Sequence, residues 1–306
     1  MIIAGAGLSG LLAGALDRRA SIIEAQPSLP NNHHAVLRFR EDKIGKALNI
    51  PFKKVKVTKA IADEFGVYNY VLPEHANQYS KKVSGKIVSR SIGDLSTVER
   101  YISPKDLIAQ LSELCYGRIS YSTPLTKDII LSDENIINTI PLPILLSLLE
   151  EKLFAPFEHG QFNCSAIRVE KFKVIDADVF QTIYFPSINC SVYRASITGD
   201  ELMVEMIDGM EHPPWEIASV FRAFGITDKD VVPIESKHQS LGKIVPLPDD
   251  FRKNVLLNLT TKYNIYSLGR FATWRNVLLD DVYDDYFKVC RLMKIKNGYD
   301  MWSSIT

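Results

Sequence analysis

The sequence lacks most of the features that would settle its class at a glance. Neither charge is in excess, since 36 basic residues balance 36 acidic ones. No whole-molecule field draws the chain to nucleic acid or an anionic membrane, which excludes a polybasic binding protein and leaves room only for a local patch. Cysteine is scarce: Cys115, Cys164, Cys190 and Cys290 are the four in 306 residues. Their wide spacing excludes a disulfide scaffold and a CxxC metal site, and buried, reduced thiols in a reducing cytoplasm are the expectation. There is no H-x-x-x-H pair, no G-x-S-x-G elbow and no Walker loop, so zinc hydrolysis, serine hydrolysis and nucleotide hydrolysis have no motif to rest on. Nor is there a long apolar run. Met1 to Leu16 carries no charge, but Asp17 ends it short of the ~20 residues a membrane span needs. The basic residues Arg18 and Arg19 follow this run, whereas a signal peptide has its basic stretch first.

What is present at the N-terminus is a glycine pattern. Met1-Ile2-Ile3-Ala4 reads as a buried strand, followed by Gly5-Ala6-Gly7-Leu8-Ser9-Gly10 and a helical run to Arg19. This is G-x-G-x-x-G between strand and helix, where its mechanics require it. Gly5 permits the tight turn, Gly7 leaves room for a pyrophosphate, and Gly10 lets the helix lie close to the strand. The helix start offers free N–H groups and a positive dipole end to the phosphates. A second strand, Ala20 to Ile23, ends in Glu24, nineteen residues after Gly5. An acid there holds the ribose hydroxyls of an adenosine, and its charge disfavours NADP. The fingerprint by itself suits FAD and NAD alike.

Two later segments bear on that choice. Ile136-Ile137-Asn138-Thr139-Ile140-Pro141 reads as a strand ending in Thr-x-Pro before a helix from Ile144 to Leu153. Ser267-Leu268-Gly269-Arg270-Phe271-Ala272-Thr273-Trp274 reads as a glycine turn with an aromatic loop, before a helix from Asp280 to Met293. With the fingerprint and Glu24, these segments resemble FAD-dependent amine oxidases and UDP-galactopyranose mutases. The resemblance implies an α/β fold: a Rossmann-like FAD-binding domain with a parallel sheet, plus a smaller antiparallel-sheet substrate domain. It implies FAD as cofactor, with Gly5, Gly7, Ser9, Gly10 and Glu24 on the ADP half and Gly269 and Arg270 near the flavin and its phosphates. Leu279 and Asp280 would present backbone N–H groups to the flavin pyrimidine, where donors stabilise the reduced ring. His33 and His34 fall where the mutases carry a histidine loop, and Arg38 lies where the oxidases carry an arginine.

The expected organisation is discontinuous, with the FAD domain built from 1–40, 86–150 and 240–306 and the substrate region from 41–85 and 151–239. Ser103 and Pro104 mark a helix start. Phe180 to Pro186, Ser191 to Ile197 and Glu201 to Glu205 alternate as strands do and would roof the flavin, with a short helix from Trp215 to Phe224. Arg194 stands in the segment where the resembled mutases use an arginine for an anionic substrate group. Tyr184, Tyr193 and Trp274 are candidate aromatic walls, with the core as the plainer alternative.

Two activities follow from the resemblance. One is FAD-dependent oxidation of a C–N bond in an amine or amino-acid group. The other is a non-redox mutase reaction on a nucleotide sugar, with Arg194 beside the pyrophosphate. A structural role for FAD is a third reading. Residues 38–90 hold twelve basic against five acidic residues. Lys53, Lys54 and Lys56 there suggest either an edge strand protected by lysines or a phosphate track that brings a DNA-borne substrate to the flavin. The second version resembles small phage-encoded flavoproteins associated with amino-acid-modified thymine in DNA.

Overall fold

The computed structural model describes residues 1–30, 37–149, 162–210 and 213–303, with side chains described to 295. In chain order the strands are β1 (Ile2–Ala4), β2 (Ser21–Ile23), β3 (Arg38–Phe39), β4 (Lys53–Ala62), β5 (Val67–Tyr68), β6 (Val98–Ile102) and β7 (Ile119–Ser120). They continue as β8 (Ile136–Asn138), β9 (Cys164–Val174), β10 (Val179–Tyr184), β11 (Val192–Gly199), β12 (Glu201–Ile207), β13 (Val231–Ile244) and β14 (Ile265–Ser267). The helices are α1 (Leu8–Leu16), α2 (Lys43–Leu48), α3 (Pro73–Ser84), α4 (Leu107–Leu114), α5 (Lys127–Ile130), α6 (Leu142–Leu149), α7 (Pro214–Phe224), α8 (Asp249–Tyr263) and α9 (Leu279–Ser303).

Short runs of branched apolar residues make the first sheet, which is parallel throughout in the order β14-β8-β1-β2-β7. Such strands are buried on both faces because helices return along each side. Ile3 and Ile22 face Leu11 and Leu12 of α1, Leu111 of α4 and Val282 of α9. Ala4 and Ile136 face Leu145 and Leu146 of α6 and Val255 and Leu259 of α8. The doubly wound domain expected from the fingerprint is therefore present.

The second sheet runs β13-β9-β12-β11-β10-β4-β6-β3, with β5 on β4, and is antiparallel except where β10 meets β4. One face packs on α7 through Val220 and Phe221. The other carries Tyr184 and Tyr193 and packs on Tyr79 and Val83 of α3. Along β11 the pairing slips between Val192 and Arg194, a bulge that sets Tyr193 and Arg194 together on this second face. Strict alternation, expected from Ser191 to Ile197, stops there.

Several boundaries differ from the sequence reading. The helix expected at Ser103 starts at Leu107, after a turn in which Leu107 N–H donates to the Pro104 carbonyl over 3.1 Å. Strand β4 changes partner along its length: Lys53 to Val57 pair with β6, and Thr58 to Ile61 with β10. Within residues 86–150, β6 joins the second sheet and β7 and β8 the first. Of the cysteines only Cys115 is buried; the other three are partly exposed.

Candidate functional site

The glycine loop closes as its spacing requires. Gly5 sits at φ +98°, a conformation that side chains strain to adopt, and its N–H donates to the Ile23 carbonyl over 2.8 Å. A Cβ on Gly10 would overlap the Gly5 carbonyl oxygen, whereas a Cβ on Gly7 would meet nothing within 4 Å. Gly10 thus locks helix to strand, and Gly7 marks the open side where phosphates can approach. No side chain caps α1, so its first N–H groups stay available to an anion. Glu24 is buried, accepting from Ala6 N–H over 2.7 Å and Gln26 N–H over 2.9 Å, one oxygen to each. Each oxygen keeps lone-pair capacity for a ribose hydroxyl.

The two distant segments meet this loop. Thr139 Oγ1 donates to the Ala4 carbonyl at 2.8 Å and lies 3.1 Å from that of Gly5. Gly269, at φ +94°, approaches Ser9 so closely that a Cβ would collide with its side chain. The next residue, Arg270, reaches across to the second sheet, where it donates to the Gly242 carbonyl over 3.2 Å.

Around Arg270 the second sheet carries a cluster of charge. Arg194 holds Glu205 with two guanidinium nitrogens, and the Tyr193 hydroxyl donates to the same carboxylate over 2.7 Å. Lys243 Nζ lies 3.8 Å from Glu205 and 4.5 Å above the Tyr193 ring. Burial works to raise the Glu205 pKa, but Arg194, Lys243 and the two hydrogen-bond donors hold it down at about 2. Burial pushes Lys243 down to about 7; Glu205 opposes this, and Arg194, Arg270 and Arg90 add to it. Arg90 and Arg270 are lowered by burial too. Nε and Nη2 of Arg90 and Nε of Arg270 are enclosed without a hydrogen-bond partner among the described residues. Arg90, Arg194 and Arg270 therefore gather around Lys243, with Glu205 held by Arg194 beside it, and some of the arginine donors have no partner among the described residues. Enclosed cations with unused donors have hydrogen-bonding capacity to offer an anion.

The remaining expected residues divide. Tyr184 pairs with Arg194 across the strands, packs edge-on to Tyr79 and donates to Ser91 Oγ over 3.2 Å, which places it beside the cluster. Arg38 lies near enough to Arg194 to be lowered by its charge, and its buried Nε has no partner among the described residues. Its guanidinium bonds Thr182, the Gln181 and Ile197 carbonyls and Thr198, and works as a clasp on β10 and β11. Trp274 lies outside any pocket wall: it is fully enclosed, edge-on to Phe162, with its Nε1–H on the Val245 carbonyl over 3.1 Å. A large ring with its one donor satisfied belongs to the core under the parallel sheet. Leu279 and Asp280 open α9, and Asp280 accepts from Arg40 N–H over 3.0 Å. His33 and His34 lie outside the described residues.

Four residues of the basic segment stand in ion pairs with acids. Lys53 pairs with Asp178, Lys54 with Glu99, Lys43 with Glu41 and Asp284, and Arg40 with Asp280 and Asp281. Lys53 also falls on the opposite face of β4 from Lys54 and Lys56, because strand faces alternate. Arg90, Glu205, Lys243 and Tyr79 were not among the expected site residues. Lys243 sits in Gly242-Lys243-Ile244, where a lysine between small and apolar residues was the available hint.

No protein-family model matches the chain, and no curated protein matches its sequence. Solved structures do match in shape. A reduced UDP-galactopyranose mutase aligns with TM-score 0.62 and 14% identity over 90% of this chain and 89% of its own. A fatty acid isomerase from P. acnes aligns with TM-score 0.61 and 12% identity over 95% and 97%. A putrescine oxidase variant gives TM-score 0.58 and 10% identity over 96% and 98%. At these identities the likeness is one of fold: a parallel sheet wrapped by helices, joined to a separate, mostly antiparallel sheet. Two of the three are named for the groups that the sequence motifs resemble.

Proposed function

We propose that this chain is an FAD-dependent enzyme whose substrate carries a strongly anionic group. The single observation behind the second clause is the gathering of Arg90, Arg194 and Arg270 around Lys243, with Glu205 as its acid. The cofactor reading rests on the open face at Gly7, the uncapped start of α1, Glu24 on the loop and the contact of Gly269 with Ser9. These residues fit FAD: α1 and the loop N–H groups would take its pyrophosphate, Glu24 its ribose, and the turn at Gly269 would lie along its path towards the second sheet. Bound there, FAD would supply either a two-electron acceptor or, once reduced, a nucleophilic ring.

The protein's own residues would do the rest. Arg270 and Arg90 would turn their unused donors onto the anionic group, and Arg194, held flat by Glu205, would keep its charge aligned with theirs. Tyr184 and Tyr79 would exclude water on one side, which strengthens each of these contacts. The excess of cations is larger than one carboxylate group neutralises, which favours the mutase-like reading with a nucleoside diphosphate sugar over a bare diamine. Oxidation of a C–N bond stays open for an amino acid, because its carboxylate would engage the cluster and nearby cations favour the neutral amine.

The test is an absorbance spectrum of the purified protein with mass identification of the released cofactor, followed by titration with UDP-galactose. A flavin spectrum and saturable perturbation by UDP-galactose are expected. A colourless protein that FAD does not reconstitute would overturn the cofactor reading. Bleaching by an amino acid under nitrogen, with no response to UDP-galactose, would move the assignment to C–N oxidation.

A further inference from the structure

We infer that an anion binding at this cluster brings a proton with it, and that Lys243 is the residue that takes the proton. The inference rests on the anionic-substrate reading and adds that the site is a proton-coupled receptor whose charge is completed by its ligand.

The geometry singles out Lys243. Glu205, the one acid of the cluster, already receives two nitrogens from Arg194 and the hydroxyl of Tyr193; its separation from Lys243, at 3.8 Å, is the longest of these contacts. Among the described residues, the other groups close to Lys243 are cationic or neutral. Arg194 and Tyr193 come from β11, Arg270 from the turn after β14, and Arg90 from the chain before Ser91. Behind them stand Tyr184 of β10, Tyr79 of α3 and Arg38 of β3. A guanidinium holds its proton through the physiological range, so crowding among these cations is relieved at the one ammonium. Burial and the neighbouring arginines bring Lys243 to about 7, so the empty site carries a largely neutral amine in mildly alkaline solution. The side chain keeps 15% of its surface exposed, so a ligand and solvent can both reach it.

An anion seated among these groups favours the charged amine and raises its pKa. The sign of the linkage follows. Below the pKa of the empty site Lys243 is already protonated, and affinity is flat with pH. Above it each binding event takes up a proton, so affinity falls by up to ~10-fold per pH unit until the pKa of the liganded site is passed.

Sulfate is the suitable probe because its own charge is constant over this range. Calorimetric titration of the intact protein with sodium sulfate, near pH 8 in two buffers of unlike ionisation heat, reads the protons taken up. The expected result is uptake of more than about half a proton per sulfate near pH 8, and close to none near pH 5.5. Lys243→Arg keeps the charge and should bind sulfate with no uptake and no pH dependence. Lys243→Gln should lose the uptake and bind more weakly near pH 5.5. Wild-type binding without uptake, or uptake that persists in Lys243→Arg, would overturn the inference while leaving the anion site standing. Failure of the wild type to bind sulfate at all would remove the anion site and the inference together.

Discussion

Around the glycine loop, β1, β2 and α1 meet through backbone groups and small residues; around Glu205, β11, β12 and β13 meet through charged side chains. The loop is held by Gly5 on Ile23, Glu24 on Ala6 and Thr139 on two carbonyls, all short contacts within or beside one βαβ unit. The cluster is held by Arg194, Tyr193 and Lys243 converging on a single carboxylate from separate strands. The first arrangement depends on the absence of atoms, and the second on the balance of charge. Each should therefore break under a different kind of change.

The largest effect is expected at Glu205. Glu205→Gln leaves the buried cations without their acid, and removal of one partner from a buried ionic network costs about 3–5 kcal/mol. Urea unfolding followed by circular dichroism should show the loss, with the parallel domain's cofactor affinity affected only as far as the whole fold is. Next in size is Gly10→Ala, which forces α1 off β1. Overpacking of this order costs ~1–3 kcal/mol, which should weaken FAD retention by roughly 10-fold or more. Gel filtration with absorbance at flavin wavelengths reads it, and Gly7→Ala should differ by blocking the cofactor while α1 stays in position.

Acid sharpens the contrast further. Glu205 is depressed to about 2 from a usual value near 4.5. Its contribution is present above the unfolded value and is lost as pH falls from about 4.5 towards about 2. The wild type should lose stability across that window in thermal melts, and Glu205→Gln should show a shallower acid limb. The smallest effect is expected from neutralising Lys53, Lys54 and Lys56 together. These are exposed side chains, two of them in surface ion pairs. Exposed pairs contribute little. Neither flavin content nor sulfate affinity should change, and a fall in either would show that the basic strand reaches the site.

The same contrast explains what was legible in the sequence. The loop could be read because its chemistry is local: Gly5, Gly7, Gly10 and Glu24 fall within twenty residues, and each has one stereochemical reason to be there. The doubly wound domain follows from them. Of the cluster, Arg194, Arg270 and the two tyrosines Tyr184 and Tyr193 were legible. Glu205 sits in a strand that alternates in the ordinary way, and Arg90 and Lys243 approach it from more than a hundred residues and about forty residues away. Their meeting depends on sheet order, on which the sequence is silent. Trp274 took the plainer of its two readings: the loop after Gly269 folds its ring inward, with Nε1–H on the Val245 carbonyl. Arg38 lies where an oxidase arginine was expected, and its bonds to β10 and β11 depend on the second sheet, which the spacing after β2 does not announce.

The bulge at Tyr193 has a genetic consequence. Val192 and Ala195 keep to one face of β11, and the single extra residue resets the phase between them. Loss of the codon for Tyr193 should leave a regular strand in which Arg194 still faces Glu205 and only a phenol is missing. Loss of any codon from Ser196 to Thr198 would instead turn the intervening stretch over, setting Arg194 against Val220 and Phe221 and sending Ala195 towards the arginines. Deletion scanning of β11 should therefore find one tolerated gap beside several lethal ones.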